Sequence, residues 1–256
     1  MQQNQTSYVS YHALNKVGTI EFYTPQHNSM PAEILSKLAN TIEMAGNDQN
    51  SKVLILKTAG EKTFCAGAFF DELLMIQNES EGLDFFSGFA KVINAMRKCP
   101  KFIIGRIQGK AIGGGVGLAA SCDYTYATSE AAIKLSELSV GIGPFVVAPA
   151  IERKIGKSAT YELAIDANNF RSAEWAREKG LYAQVFNTIN QMDLAIEKIT
   201  FTLAASSSQA MSEIKKAFWQ GSEAWDQFLL DRAAISGRLI VTDEAKSYLR
   251  SFKKWK

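Results

Sequence analysis

Three adjacent glycines, Gly113, Gly114 and Gly115, restrict the fold of this chain more than any other feature. They follow a short apolar stretch, Phe102 to Ile107, and precede Val116, Leu118, Ala119 and Ala120, which read as the start of a helix of small residues. Glycine lets a ligand or another segment come close to the backbone. The first N–H groups of a helix have no partners within it and lie at its positive end. Such a turn suits a phosphate or an oxygen that is gaining negative charge. The spacing is neither G-x-G-x-x-G nor G-x-x-x-x-G-K-[ST], so neither nucleotide pattern is met. Taken alone, the triplet is equally a tight turn beneath a buried helix.

The segments on either side set the fold class. Tyr8 to Tyr23 reads as two strands about a turn at Lys16, Val17 and Gly18. Ile34, Leu35, Leu38 and Ile42 recur at helical spacing after Pro31. Val53 to Gly60 is a continuous apolar run that suits a strand buried on both faces. Leu83 to Cys99 places Phe85, Phe86, Phe89, Val92, Ile93 and Met96 on one helical face and stops before Pro100. This alternation predicts an α/β layer of repeated units. Beyond Pro144 the chain reads as mainly helical. Ser172 is the N-cap and Gly180 the stop of one helix, and others are predicted at 193–205, 209–219, 222–237 and from Asp243. A soft boundary falls near Ser206, Ser207 and Ser208, dividing a core at 1–205 from a helical region at 206–256.

Bulk properties narrow the function. With 28 basic and 26 acidic residues the net charge is +2, which implies neither a nucleic-acid nor a membrane partner. No run approaches the roughly 20 apolar residues of a membrane span. The start, MQQNQTSYVSYHAL, has neither a basic nor an apolar leader region, so no secretory signal is expected. Cys65, Cys99 and Cys122 are widely spaced, as expected of small buried residues in a reducing compartment, and the cytoplasm is the expected location. There is no G-x-S-x-G, and both histidines, His12 and His27, lie near the start. No cluster has metal-ligand spacing, so no metal is expected.

Two stretches are left that can cooperate. One is the small-residue loop Phe64 to Ala68, and the other is the glycine triplet. If the strands before them are parallel neighbours, both loops leave the same sheet edge, where open α/β sheets bind ligands. Two backbone N–H groups then converge on one carbonyl oxygen.

The combination FCAGAFFDEL, GGGVGLAASCDYTYAT and KLSELSVGIGP resembles the crotonase superfamily, the enoyl-CoA hydratase/isomerase family. The likeness extends to TPQHNSM and to RSAEWAREKGLYAQV and so covers nearly the whole chain. It implies a crotonase-like α/β core of repeated ββα units, with an acyl-CoA site in 1–205. It also implies a C-terminal helical region, 206–256, for oligomerisation and closure of the CoA site, in a homotrimer or hexamer. In this family the oxyanion hole would be the N–H groups of Ala68 and Gly114, with Ala66 beside the coenzyme A. Phe69, Leu73, Gly117, Pro144 and Phe145 would line the substrate pocket. Lys253 and Lys254 would meet the CoA phosphates. Coenzyme A arrives as part of the substrate thioester, and no permanently bound cofactor is implied.

The family's hydratases use two glutamates. One matches Glu137; at the other position this chain has Gly117. Hydration divides water activation and proton delivery between two groups, whereas a double-bond shift needs one. The family's Δ3-Δ2-enoyl-CoA isomerases likewise keep only the acid matching Glu137, so the resemblance favours isomerisation. The alternatives are an enoyl-CoA hydratase that adds water across the 2,3 double bond, branched or glutaconyl-type substrates included, and a non-catalytic acyl-CoA- or macromolecule-binding homologue. Glu137 itself is either a salt-bridged structural residue or a base whose pKa is raised by burial among Leu135, Leu138 and Val140. Asp123 is expected to brace its turn. Asp71 and Glu72 are expected to line the acyl pocket or to form an exposed helix start. Phe69 stands where many family members have an aspartate.

Overall fold

A computed structural model of the chain describes residues 6–253. It opens with an antiparallel hairpin of β1 (Tyr8–Leu14) and β2 (Lys16–Tyr23), in which Leu14 faces Val17. The turn is therefore at Asn15 and Lys16, with φ of 51° and 65°, and not at Lys16 to Gly18 as the sequence suggested. A two-residue hairpin loop needs positive φ at both positions, which asparagine tolerates. Gly18 lies inside β2 for a different reason: a Cβ there would sit 2.7 Å from Leu54 and 2.8 Å from Tyr11. Helix α1 (Ala32–Asn47) follows and buries Ile34, Leu35, Leu38 and Ile42.

The chain then repeats one plan: a long strand, a short strand, and helix. The first repeat is β3 (Ser51–Thr58), β4 (Thr63–Cys65), α2 (Phe70–Met75) and α3 (Glu79–Lys98). The second is β5 (Ile103–Ile107), β6 (Lys110–Ile112) and α4 (Gly114–Ser121). The third is β7 (Tyr124–Thr128), β8 (Ile133–Lys134), a 3-10 turn at Glu137–Val140 and α5 (Ala148–Ile165), which bends at Gly156. After α6 (Ala173–Glu178), β9 (Gln184–Phe186) closes the sheet edge. The rest is helical: α7 (Ile189–Ala205), α8 (Ser208–Phe218), α9 (Trp225–Ile240) and α10 (Asp243–Lys253).

The long strands and the three-residue β9 form one six-stranded sheet in the order β1-β2-β3-β5-β7-β9, and β4, β6 and β8 form a second, parallel sheet in that order. The apolar run in β3 is continuous because both faces of the large sheet are covered. Leu54 and Leu56 join the main core with α1 and α3 residues, while Val53 packs with Ile104, Tyr126 and the α7 residues Met192 and Ile196. Alternate residues thus go to opposite layers.

The last helices are tied to this frame at specific points. A Cβ at Gly82 of α3 would lie 2.6 Å from Gly237 of α9, so these helices approach backbone to backbone. Lys215 of α8 forms a buried ion pair with Asp123 at 2.8 Å, the two side chains being 2% and 5% exposed. Asp123 also accepts from the Ile103 N–H and the Trp219 Nε1–H, which is the bracing role expected of it. Lys246 of α10 donates to the carbonyls of Leu73, Leu74 and Ile76, satisfying the C-terminal end of α2. Among the described residues no helix is long and apolar enough to cross a membrane.

Candidate active site

Each strand of the small sheet delivers one part of the site at its C-terminal end. Ala68 follows β4, Gly114 follows β6 and Glu137 follows β8. The sequence suggested that the two loops leave the long strands directly. They leave instead from β4 and β6, which pair in parallel. Strands of two and three residues are too short to show a hydrophobic period.

The Ala68 loop is held from outside. Met30 donates to the Gly67 carbonyl at 2.7 Å, Phe69 donates to the Met30 carbonyl, and Ala66 donates to the His27 carbonyl. Asn28, at φ 55°, bonds the Thr24 N–H and the carbonyls of Ala59 and Thr63. His27 and Asn28 therefore brace the loop as structural residues. Gly67, at φ 82°, packs so tightly that a Cβ there would lie 2.7 Å from the Ile112 carbonyl and 3.2 Å from the Gly114 nitrogen. The two loops are thus in direct contact. The N–H groups of Ala68 and Gly114 donate to no backbone acceptor among the described residues, and α4 has no side-chain cap.

Gly113 and Gly114 also have to be glycines. Gly113 adopts φ 52° and ψ −117°, and a Cβ on it would come within 3.0 Å of Glu137 Oε1. A Cβ on Gly114 would lie 2.2 Å from the Phe89 ring. The Glu137 carboxylate therefore rests against the glycine turn, and Phe89 closes the other side.

Oε2 of Glu137 is buried and has no hydrogen-bond partner. Loss of hydration pushes its carboxyl up to about 7, partly opposed by a hydrogen bond from its own backbone N–H. No ion pair holds it among the described residues, which removes the salt-bridge reading. Its expected surroundings need correction: Leu138 is 54% exposed, because the tight 3-10 turn rotates it outward. Leu135 is buried and Val140 lines the same cavity as Glu137.

That cavity measures about 130 Å³. Of the residues expected there, Ala66, Ala68, Leu73, Gly114, Glu137, Pro144 and Phe145 line it, and Phe69 and Gly117 do not. Phe69 is the N-cap of α2 with its N–H bonded to Met30, so the next residue, Phe70, faces the cavity. Gly117 is covered by Val147, which lines the cavity in its place. Asp71 and Glu72 are not in the wall either, and Glu72 instead accepts from the Ala32 N–H at the start of α1. Phe86, Phe89 and Ser236 also line the wall, and no sequence pattern marks them for it, since α3 and α9 meet only in the folded chain. Lys253 is the last residue of α10, and Lys254 lies outside the described residues. Among those residues no group of His, Cys, Asp or Glu could hold a metal ion.

The small sheet, the glycine turn and the half-buried Glu137, whose Oε2 is buried, are arranged on a crotonase-type α/β fold. The crystal structure of enoyl-CoA hydratase from Bacillus halodurans superposes with a TM-score of 0.89 at 21% identity, over 96% of this chain and 100% of that one. The chain belongs to the enoyl-CoA hydratase/isomerase family, whose model matches residues 12–247. Relatives include a short-chain-enoyl-CoA hydratase from Clostridium acetobutylicum, 28% identical over 93% of this chain and 91% of that protein. A peroxisomal delta(3,5)-delta(2,4)-dienoyl-CoA isomerase from Arabidopsis thaliana is 26% identical over 86% of this chain and 84% of that protein.

Proposed function

We propose that this protein shifts the double bond of a short 3-enoyl-CoA into conjugation with the thioester, using Glu137 as its single acid and base. The observation that carries this reading is one buried, unpaired carboxylate beside two free N–H groups, with a glycine and a valine where a second carboxylate would stand.

The thioester oxygen accepts from the N–H groups of Ala68 and Gly114. Glu137 takes a proton from C2, and the charge moves onto that oxygen as the dienolate forms. Preorganised donors aimed at the developing charge stabilise it, and losing one costs about 10²–10³ in rate. Protonated Glu137 then returns the proton to C4, leaving the 2,3 double bond conjugated. A carboxyl raised to about 7 is well matched to both half-steps near neutral pH. The coenzyme A enters as part of the substrate, and the chain needs no other cofactor in this scheme.

The cavity, about 130 Å³, resembles in size the roughly 150 Å³ cavities that hold a benzene ring. It therefore suits a short acyl group. The chain is expected to work as a homotrimer or hexamer, with 206–256 as the oligomerising region. The test supplies 3-hexenoyl-CoA and, separately, 2-hexenoyl-CoA, and follows absorbance of the conjugated thioester. Conjugation gained from the 3-enoyl substrate supports the reading. Conjugation lost from the 2-enoyl substrate alone would make the protein a hydratase, and silence with both alongside tight thioester binding would make it a binding protein.

A further inference from the structure

Gly117 is more than a position that lacks a carboxylate. A Cβ there would lie 2.5 Å from Cγ1 and 2.6 Å from Cβ of Val147. These are atoms close to the backbone of a stiff, β-branched side chain, not the end of a flexible one. The Val147 backbone is fixed as well, since it is the N-cap of α5 and its carbonyl accepts from the Ile151 N–H. Val147 is 4% exposed and lines the cavity that Gly117 does not reach. Its neighbours in the wall, Val146, Ile142 and Val140, are also hydrocarbon. Among the described residues Glu137 is the one titratable side chain of that wall; its other polar side chains, Ser136 and Ser236, are hydroxyls.

We propose that Val147 is the residue that decides reaction specificity: it fills the volume of a second acid/base group and keeps activated water away from the acyl chain. This rests on the isomerase reading above. An enolate formed against a dry wall has Glu137 as its proton donor and no base to deliver water to C3. Restoring a carboxylate alone is then not enough. Gly117→Glu has to displace Val147, and only Gly117→Glu with Val147→Gly provides both the acid and the space.

The experiment is a double-mutant cycle over Gly117→Glu and Val147→Gly, read as melting temperature and as hydration of 2-butenoyl-CoA. Gly117→Glu is expected to lower the melting temperature far more with Val147 present than in the Val147→Gly background. Hydration is expected in the double variant at about 100-fold or more above wild type, the scale of a restored general acid/base, and not in either single variant. Hydration by Gly117→Glu alone, additive melting shifts, or a folded double variant that isomerises without hydrating would overturn the proposal. If the Glu variants do not fold, Gly117→Asp with Val147→Gly is used, and the ratio of hydrated to isomerised product is expected to rise by about 10-fold over wild type. An unchanged ratio would count against the proposal. Wild-type protein that fails to isomerise any 3-enoyl-CoA would instead sink the isomerase reading, and the melting cycle would still report on the packing.

Discussion

Replacing Glu137 by Gln separates the chemistry of this residue from the cost of burying it. The carboxyl is raised from 4.5 to about 7 by loss of hydration. In the unfolded chain it ionises near its ordinary value. Between those two pH values the folded chain keeps a proton that the unfolded chain has released, so folding weakens as pH rises. The stability is fully present below about 4.5 and is lost as pH passes about 7. At about 1.36 kcal/mol per pH unit, that window corresponds to roughly 3 kcal/mol. Glutamine stays neutral, and whatever its amide gains or loses in the site is the same at every pH. The informative quantity is therefore the change with pH of the stability difference between variant and wild type. Urea unfolding at a series of pH values is expected to show Glu137→Gln gaining about 3 kcal/mol on wild type between about pH 4.5 and pH 8, while activity is lost. A difference that stays flat over this range, or moves the other way, would refute the claim that a buried and unpaired carboxylate sits in this cavity.

Other perturbations follow from the same geometry. Gly114→Ala places a Cβ 2.2 Å from the Phe89 ring; the loop or ring must move, and kcat for isomerisation is expected to fall by about 100-fold or more with thioester binding kept. An unchanged kcat in steady-state assays would contradict the role of its N–H. Lys215→Met leaves Asp123 buried without its partner, and urea unfolding is expected to show a loss of about 3–5 kcal/mol, partly recovered with Asp123→Asn. A loss well under 1 kcal/mol would mean that water reaches this pair. A series of 3-enoyl-CoA substrates is expected to show kcat/KM declining once the acyl chain outgrows the cavity of about 130 Å³; a flat series would show that the chain leaves the cavity by another route.

The sequence was most legible where one residue type has one physical use. The helical spacing of Ile34, Leu35, Leu38 and Ile42 marks the buried face of α1, and all four are buried. The triplet at Gly113 to Gly115 marks a close backbone approach, and Glu137 amid apolar residues marks a carboxyl raised by burial. Where several segments meet, the sequence said less. Strands β4, β6 and β8 carry no periodicity at two or three residues, so the sheet that delivers the site was invisible. Val147 covering Gly117, and Lys246 satisfying the end of α2, bring together residues far apart in the chain. Leu138 illustrates a different limit: an apolar residue next to Glu137, which faces the cavity, turns to solvent because a 3-10 turn separates neighbours by about 120°.

The most direct measurement of the single-carboxylate mechanism follows one hydrogen. A 3-enoyl-CoA carrying deuterium at both positions of C2 is converted in ordinary water, and its product is analysed by NMR and mass spectrometry. Glu137 acting alone, sheltered by Val147, should carry a substantial fraction of the label from C2 to C4, and Glu137→Gln should abolish turnover. Product with no label at C4, or a 3-hydroxyacyl product, would show that solvent or a second group supplies the proton and would contradict the mechanism.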